Sequence, residues 1–262
     1  MNKDLKLGFI GCGKMTSAIV GGMTERANVF ATVRTESKAE AKRAELGISV
    51  GVDNRTLVEM CDVIFLATEP KQIEGVLEQI HDLVDGKVVV SIAAGVSLEK
   101  LEKWCGKAPV VRVMPNAPLI VREGMCAIVK GRYCKDEHVR IVEEVLENLG
   151  KCVVVDEGKM DVITAISGSG PAFFYKMIHE IALAGEKLGL KYEEALLLAV
   201  QTGVGSTKLM SQTELKPEQL IDNICTKGGC TEVGVKTMND MNSAELFYEV
   251  IRTTAEKAKS LG

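Results

Sequence analysis

Three glycine-bearing stretches have residue types and spacing that could do chemistry. The first is Gly8-Phe9-Ile10-Gly11-Cys12-Gly13-Lys14-Met15-Thr16. After a strand and at the start of a helix, Gly11 permits a tight turn and Gly13 lets a pyrophosphate approach the backbone. The helix N-terminus then offers unpaired N–H groups and a positive dipole end. The third fingerprint position is Thr16 in place of a small glycine or alanine. The second stretch, Thr226-Lys227-Gly228-Gly229-Cys230-Thr231, places a Gly-Gly pair before a helix start. Successive backbone N–H groups in such a turn form an anion-binding nest. The third, Gly168-Ser169-Gly170-Pro171, is nearly free of side chains. Proline can start a helix without an orphan N–H, so this block reads as a joint that opens a long apolar helix. The Gly-x-Gly turn and this joint, far apart in sequence, imply two elements that meet around one small ligand.

The end of the second predicted strand selects the dinucleotide. An acidic residue there holds the ribose hydroxyls of NAD, whereas an arginine accommodates a 2′-phosphate. The tip reads Arg34-Thr35-Glu36-Ser37-Lys38. The planar fork of Arg34, with donors from Thr35, Ser37 and Lys38, favours NADP. Glu36 keeps NAD open.

The positioning elements follow from hydrophobic pattern. Runs at 5–10, 29–33, 63–67, 88–92 and 110–114 are apolar without alternation, as strands covered on both faces are. Helical patterns at 14–26 and 37–46 lie between them, so a parallel doubly wound α/β sheet is expected. The character changes near Asp156. Phe174, Met177, Ile178, Ile181 and Leu188 recur at helical spacing, as do Phe247, Val250, Ile251, Thr254, Ala258 and Leu261. The run 195–200 is apolar nearly all round, which predicts burial against a second subunit. A Rossmann domain over 1–156 and an all-α domain over 157–262 are therefore expected.

Composition narrows the function classes. A net charge of -4 argues against broad binding to nucleic acid or anionic membrane, and 4% aromatic content leaves little for base stacking. No apolar run reaches membrane-span length. Met1-Asn2-Lys3-Asp4 lacks a signal-peptide pattern, so a cytoplasmic protein with reduced thiols is expected from eight scattered cysteines. His81, His138 and His179 show no metal-ligand spacing, and no metal is predicted. His179 and Trp104 read as packing residues, and Met15 and Met114 as apolar filler.

The motifs together resemble pyrroline-5-carboxylate reductases. The resemblance rests on Gly8-x-x-Gly11-x-Gly13-x-Met15, Arg112-Val113-Met114-Pro115-Asn116-Ala117-Pro118, Ser167-Gly168-Ser169-Gly170-Pro171-Ala172 and Gly228-Gly229-x-Thr231, in that order. It implies a Rossmann domain, a helical dimerisation domain, a homodimer or higher assembly of dimers, and NADPH-dependent reduction of the cyclic imine 1-pyrroline-5-carboxylate to L-proline. By the same resemblance Gly8, Ile10, Gly11, Gly13, Lys14, Met15, Arg34, Thr35, Asn54, Ala67, Thr68, Glu69, Pro70, Ala94 and Asn116 contact the cofactor. Asn54 approaches its adenosine half; Asn116 and the turn at 67–70 approach its nicotinamide half.

A cyclic imine with a ring carboxylate needs a hydride donor, a proton for nitrogen and an anchor for the carboxylate. The nest supplies the anchor, so Thr226, Gly228, Gly229, Cys230 and Thr231 are the expected substrate contacts, with Ser169. Thr231 is the expected catalytic residue. Threonine is a poor acid, so its role is to orient an iminium while water relays the proton. Two departures stand out. The family turn Ala-Val-Lys-Pro is Ala67-Thr68-Glu69-Pro70 here, and Pro-Gly-Gly-Thr-Thr is Lys227-Gly228-Gly229-Cys230-Thr231. They leave two alternatives open: a related imine, with a six-membered piperideine ring or a 2-carboxylate, or a homologue that binds NADP without turnover. Ser167 to Pro171 is expected to act as a hinge beside the Thr231 loop of the partner subunit.

Overall fold

The computed structural model describes residues 5–260. The reading of Met1–Asp4 and the apolar position assigned to Leu261 lie outside them. The first half alternates strand and helix: β1 Leu7–Ile10, α1 Lys14–Gly22, β2 Val29–Thr32, α2 Glu36–Leu46, β3 Ser49–Gly51, α3 Asn54–Met60, β4 Val63–Leu66, α4 Pro70–Ile80, β5 Val88–Ser91, α5 Leu98–Cys105 and β6 Val110–Met114. A 3-10 turn at Ala117–Val121 leads to β7 Gly124–Lys130, then α6 Asp136–Leu146 and β8 Gly150–Val154. The strand order is β3-β2-β1-β4-β5-β6-β7-β8.

The sheet is not wholly parallel. β7 runs antiparallel to β6, and β8 runs parallel to β7. The connection from β6 to β7 is one short turn, too short for the crossover that a parallel neighbour needs. β3, β7 and β8 are strands beyond the five that the apolar runs predict. Helix α1 stops at Gly22 instead of continuing to Arg26. Arg26 ends it: its guanidinium donates to Gly21 O at 2.7 Å, Met23 O at 3.3 Å and Leu46 O at 3.2 Å. A cation there satisfies the last helical carbonyls and suits the negative dipole end.

The uninterrupted apolar runs have a simple cause. Val63 and Phe65 belong to the core on one face of the sheet, and Ile64 and Leu66 to the core on the other. Successive side chains of a strand point to opposite faces, so a sheet covered on both sides needs apolar residues at every position.

Chain contacts divide the molecule into two compact units: Met1–Ser169 with Thr253–Gly262, and Gly170–Arg252. Beyond β8 the chain forms α7 Met160–Ile163, a π turn at Thr164–Gly168, α8 Gly170–Lys187, α9 Tyr192–Ser211, α10 Pro217–Ile224, α11 Cys230–Asp240 and α12 Ser243–Lys259. In the second unit α8 packs on α9 through small residues. A Cβ on Gly185 would lie 2.8 Å from that of Ala195. His179 Nδ1 lies 3.0 Å from the Tyr192 hydroxyl. Leu197, Leu198, Val204, Ile224 and Val233 are exposed, and none of α10, α11 and α12 buries a residue. No helix among the described residues is long and apolar enough to cross a membrane.

The serine-glycine block opens α8 at Gly170, one residue before Pro171, directly after the π turn. Helical structure passes through the π turn, where Ser169 N–H donates to Thr164 O at 2.8 Å. Pro171 has no N–H to give the Ser167 carbonyl four residues earlier. That carbonyl accepts instead from Asn116 Nδ2, at 3.3 Å.

Candidate active site

A cavity of about 740 Å³ opens where β1, β2 and β4 end. The carboxyl edge of such a sheet is where doubly wound folds hold ligands. Gly11 sits there at φ +96, and a Cβ on it would come within 2.7 Å of the Ala67 carbonyl oxygen. Its N–H donates to Thr32 O at 3.1 Å. Thr16, fully buried, donates its hydroxyl to Gly11 O at 2.8 Å, so the unorthodox third position ties the helix to the turn. Gly13 caps α1 without any side-chain hydrogen bond. Nothing lies within 4 Å of where its Cβ would be, so the helix N-terminus faces open ground.

The charges around the cavity answer the cofactor question. Arg34 and Lys38 line it, and among the described residues neither is ion-paired. The acid at the strand tip is elsewhere occupied: Glu36 Oε1 accepts from Arg43 at 2.6 Å and is outside the lining. Glu69 lines the cavity, but Lys71 holds it at 2.9 Å. Lys71 keeps that carboxyl below its ordinary range, with a smaller contribution from Arg34. The Thr68 hydroxyl oxygen is buried in the wall with no hydrogen-bond partner among the described residues. An unpartnered buried hydroxyl, an uncapped helix start and two unpaired cations fit a phosphorylated dinucleotide.

Of the expected cofactor contacts, the lining includes Ile10, Gly11, Gly13, Arg34, Asn54, Ala67, Thr68 and Glu69. Asn54 is held in place: its Oδ1 accepts from the Thr32 hydroxyl at 2.7 Å, and its Nδ2 donates to Gln79 Oε1 at 3.2 Å. Gly8, Lys14, Met15, Thr35, Pro70, Ala94 and Asn116 lie outside the lining. Gly8 is buried within β1, where a Cβ would meet Leu57 at 2.5 Å, so its place is to let α3 pack on the strand. Thr35 caps α2 and Pro70 opens α4. Ala94 is exposed in the turn after β5. The Asn116 side chain is engaged at both ends: Nδ2 with Ser167, and Oδ1 with the Met125 N–H at 2.9 Å.

The lining also includes residues that sequence reasoning missed. Gln72, Gly75, Val76 and Gln79 recur at i, i+3, i+4 and i+7, so they share one face of α4. The signal was present in the sequence, as a polar stripe with a glycine beside the buried stripe of Ile73, Leu77 and Ile80.

In the second unit the Thr226–Thr231 loop is a tight turn feeding α11. Gly229 N–H donates to Thr226 O at 2.8 Å, and Gly228 adopts φ +75. Gly228 N–H donates to Glu232 Oε2 at 2.7 Å. Two of the amides expected to face a ligand are therefore engaged within the loop. Those of Cys230 and Thr231 open α11, whose cap Gly229 brings no side-chain bond. Thr231 is half-buried, and among the described residues its hydroxyl has no partner. Cys230 is exposed and free. Ser169, directly after the π turn, is half-buried.

Residues 157–261 match the family described as pyrroline-5-carboxylate reductase dimerisation, and residues 6–95 match NADP oxidoreductase coenzyme F420-dependent. The chain is 34% identical to a pyrroline-5-carboxylate reductase of Aquifex aeolicus over 98% of its own length and 97% of the relative's. The chain belongs to the pyrroline-5-carboxylate reductase family. Two solved structures from that family extend the likeness to the fold. The Coxiella burnetii pyrroline-5-carboxylate reductase superposes with a TM-score of 0.94 at 31% identity, covering 98% of both chains. A Plasmodium falciparum pyrroline carboxylate reductase with NADP bound superposes with a TM-score of 0.88 at 29% identity, covering 99% of both. The residues that line the cavity all fall inside the matched segment 6–95. The Thr226–Thr231 loop and the exposed apolar helices fall inside the matched dimerisation segment. A pyrroline-5-carboxylate reductase dimerisation domain gives those helices a reason to be apolar outside.

Proposed function

We propose that the protein is an NADPH-dependent reductase that converts the cyclic imine 1-pyrroline-5-carboxylate to L-proline. The observation that carries this reading is the glycine-turn cavity with Arg34 and Lys38 unpaired at its rim, in a chain that matches pyrroline-5-carboxylate reductases end to end. The nicotinamide, when bound, supplies the hydride. Gly11 and Gly13 keep side chains away from the pyrophosphate, and the start of α1 offers it N–H donors. Arg34 and Lys38 hold the 2′-phosphate, while Thr68 gives its free hydroxyl to the cofactor. Glu36, paired with Arg43, leaves the ribose edge to the cations.

The Thr226–Thr231 loop is the proposed anchor for the imine carboxylate, through the Cys230 and Thr231 amides. The Thr231 hydroxyl orients the ring nitrogen. One hydride adds to the imine carbon and one proton to nitrogen, which breaks the C=N double bond and leaves the saturated ring. The proton arrives from water, since threonine is too weak an acid. Residues 1–156 serve as the dinucleotide domain and 157–262 as the dimerisation and substrate domain. The working state is a homodimer, alone or in an assembly of dimers. Eight free cysteines suit a reducing compartment such as the cytoplasm.

The test is a steady-state assay with pyrroline-5-carboxylate and either cofactor. The expected result is proline formation with NADPH preferred. A higher kcat/KM with a six-membered imine, or tight NADPH binding without turnover on any cyclic imine, would overturn the assignment.

A further inference from the structure

The loop that carries Thr231 contains a contact that no part of the proposed chemistry uses. Gly228, at φ +75, is the third residue of a turn closed by the Gly229–Thr226 hydrogen bond at 2.8 Å. A positive φ at that position marks a type II turn, which proline stabilises at its second position by fixing φ in advance. Lys227 occupies the second position and provides no such lock. The outward N–H of Gly228 is instead held at 2.7 Å by Glu232 Oε2, from the third residue of α11. The adjacent helix start has no side-chain cap of its own.

We infer that Glu232 is a positioning residue: its carboxylate clamps the Lys227-Gly228 turn to α11 and so holds the Cys230 and Thr231 amides and the Thr231 hydroxyl in one arrangement. The role of that arrangement in binding the imine rests on the function proposed above. Glu232 acts through its neighbours. It takes the Gly228 amide out of the set open to a substrate carboxylate and fixes the remaining donors. Its negative charge at the third helical position also suits the helix dipole.

Glu232→Ala should raise KM for pyrroline-5-carboxylate by about tenfold, the order expected for losing one hydrogen bond to a charged acceptor. NADPH affinity and kcat should stay within about twofold, because the hydrogen bond lost is neither to cofactor nor to the reacting atoms. Glu232→Gln keeps an acceptor oxygen and should stay near the parent KM. Adding Lys227→Pro to Glu232→Ala should restore most of the affinity, because proline locks the turn by another route. Amide hydrogen exchange across 226–232 should quicken in Glu232→Ala and slow again in the double variant, a readout independent of turnover.

An unchanged KM in Glu232→Ala overturns the inference, as does unchanged loop exchange or no rescue by proline. A lowered KM also overturns it, since the carboxylate would then be a competitor of the substrate. If the parent enzyme turns over no cyclic imine, the assigned function fails, and the exchange result alone still decides the clamp.

Discussion

The sheet unit and the helical unit bury their apolar residues in different ways. In the first, Phe9 stacks on Phe65 with ring centroids 4.5 Å apart, and Leu7, Ile10, Ile64 and Leu66 are shut away from solvent within one chain. In the second, only Gly170, Ala182 and Ala195 are buried, while Leu197 stands 70% exposed and Val233 63%. The contrast does not reflect poorer sequence quality in the helices. A helix that is apolar all round has no solution in a single layer and must find another surface. The sheet unit therefore draws its stability from its own fold. The helical unit, which matches the dimerisation family, leaves apolar residues that only a further surface can cover, so its stability should depend on protein concentration.

The largest test of that contrast is Phe65→Ala. Emptying a fully buried aromatic site should lower unfolding stability by about 3–5 kcal/mol. Urea titration would read this, while sedimentation should still find the parent assembly. Loss of the assembly at native urea concentrations would mean that the two units are not energetically separate. Next comes Leu197→Asp, at an exposed position of α9. Removing a leucine from an interface forfeits about 1.5–3 kcal/mol and a buried charge adds to the cost. Dimerisation should weaken by about a hundredfold or more. Sedimentation at micromolar protein should then show the 28.3 kDa chain with NADPH binding retained. A dimer that survives this change would place the interface on another face.

The same contrast explains what could be read from the sequence. β1, β2, β4, β5 and β6 were legible because strands covered on both faces are apolar at every position. β3, with three residues, is too short to announce itself, whereas β8 carries the apolar run Cys152-Val153-Val154 and was passed over although its side chains are mostly exposed. β7 is well buried, but its antiparallel direction depends on the length of a turn and not on its own residues. The glycine turn and Arg34 were legible from chemistry alone. The Gln72–Gln79 wall was not, because no helix was read over 70–80 and a polar stripe on such a helix looks like any solvent-facing side until the fold sets it beside the glycine turn. The loop at Thr226–Thr231 was found, but its internal bond to Glu232 depends on a helical side chain reaching back, which residue spacing near a glycine pair does not announce.

A smaller effect separates cofactor binding from folding in the sheet unit. Arg34→Ala removes an unpaired cation from the cavity rim. Charge-assisted hydrogen bonds contribute about 1.5–3 kcal/mol, so NADPH should bind roughly 10- to 100-fold more weakly. NADH affinity and the urea midpoint should barely move, as titration calorimetry with both cofactors would show. An equal loss for both cofactors would remove Arg34 from 2′-phosphate recognition.

The smallest effect lies next to the lining residues Asn54 and Gln79. Arg55 on α3 makes two hydrogen bonds of 2.7 Å to Asp82 and a third, also 2.7 Å, to Gln79 O on α4. The guanidinium bond holds the Asp82 carboxyl down at about 2, against an ordinary 3.8. A depressed folded value means the carboxylate binds fewer protons in the folded state. Its stabilising contribution is therefore complete above about pH 4 and disappears as pH falls toward 2. Both groups are exposed, so solvent screens the pair and the change in melting temperature should be small. Asp82→Asn should lower the melting temperature slightly at neutral pH and converge with the parent near pH 2, which flattens that part of the acid profile. The pair ties α3 to α4 within one chain, so the difference between variant and parent should be the same at every protein concentration. A difference that grew on dilution would show that these lining residues, too, are supported by association.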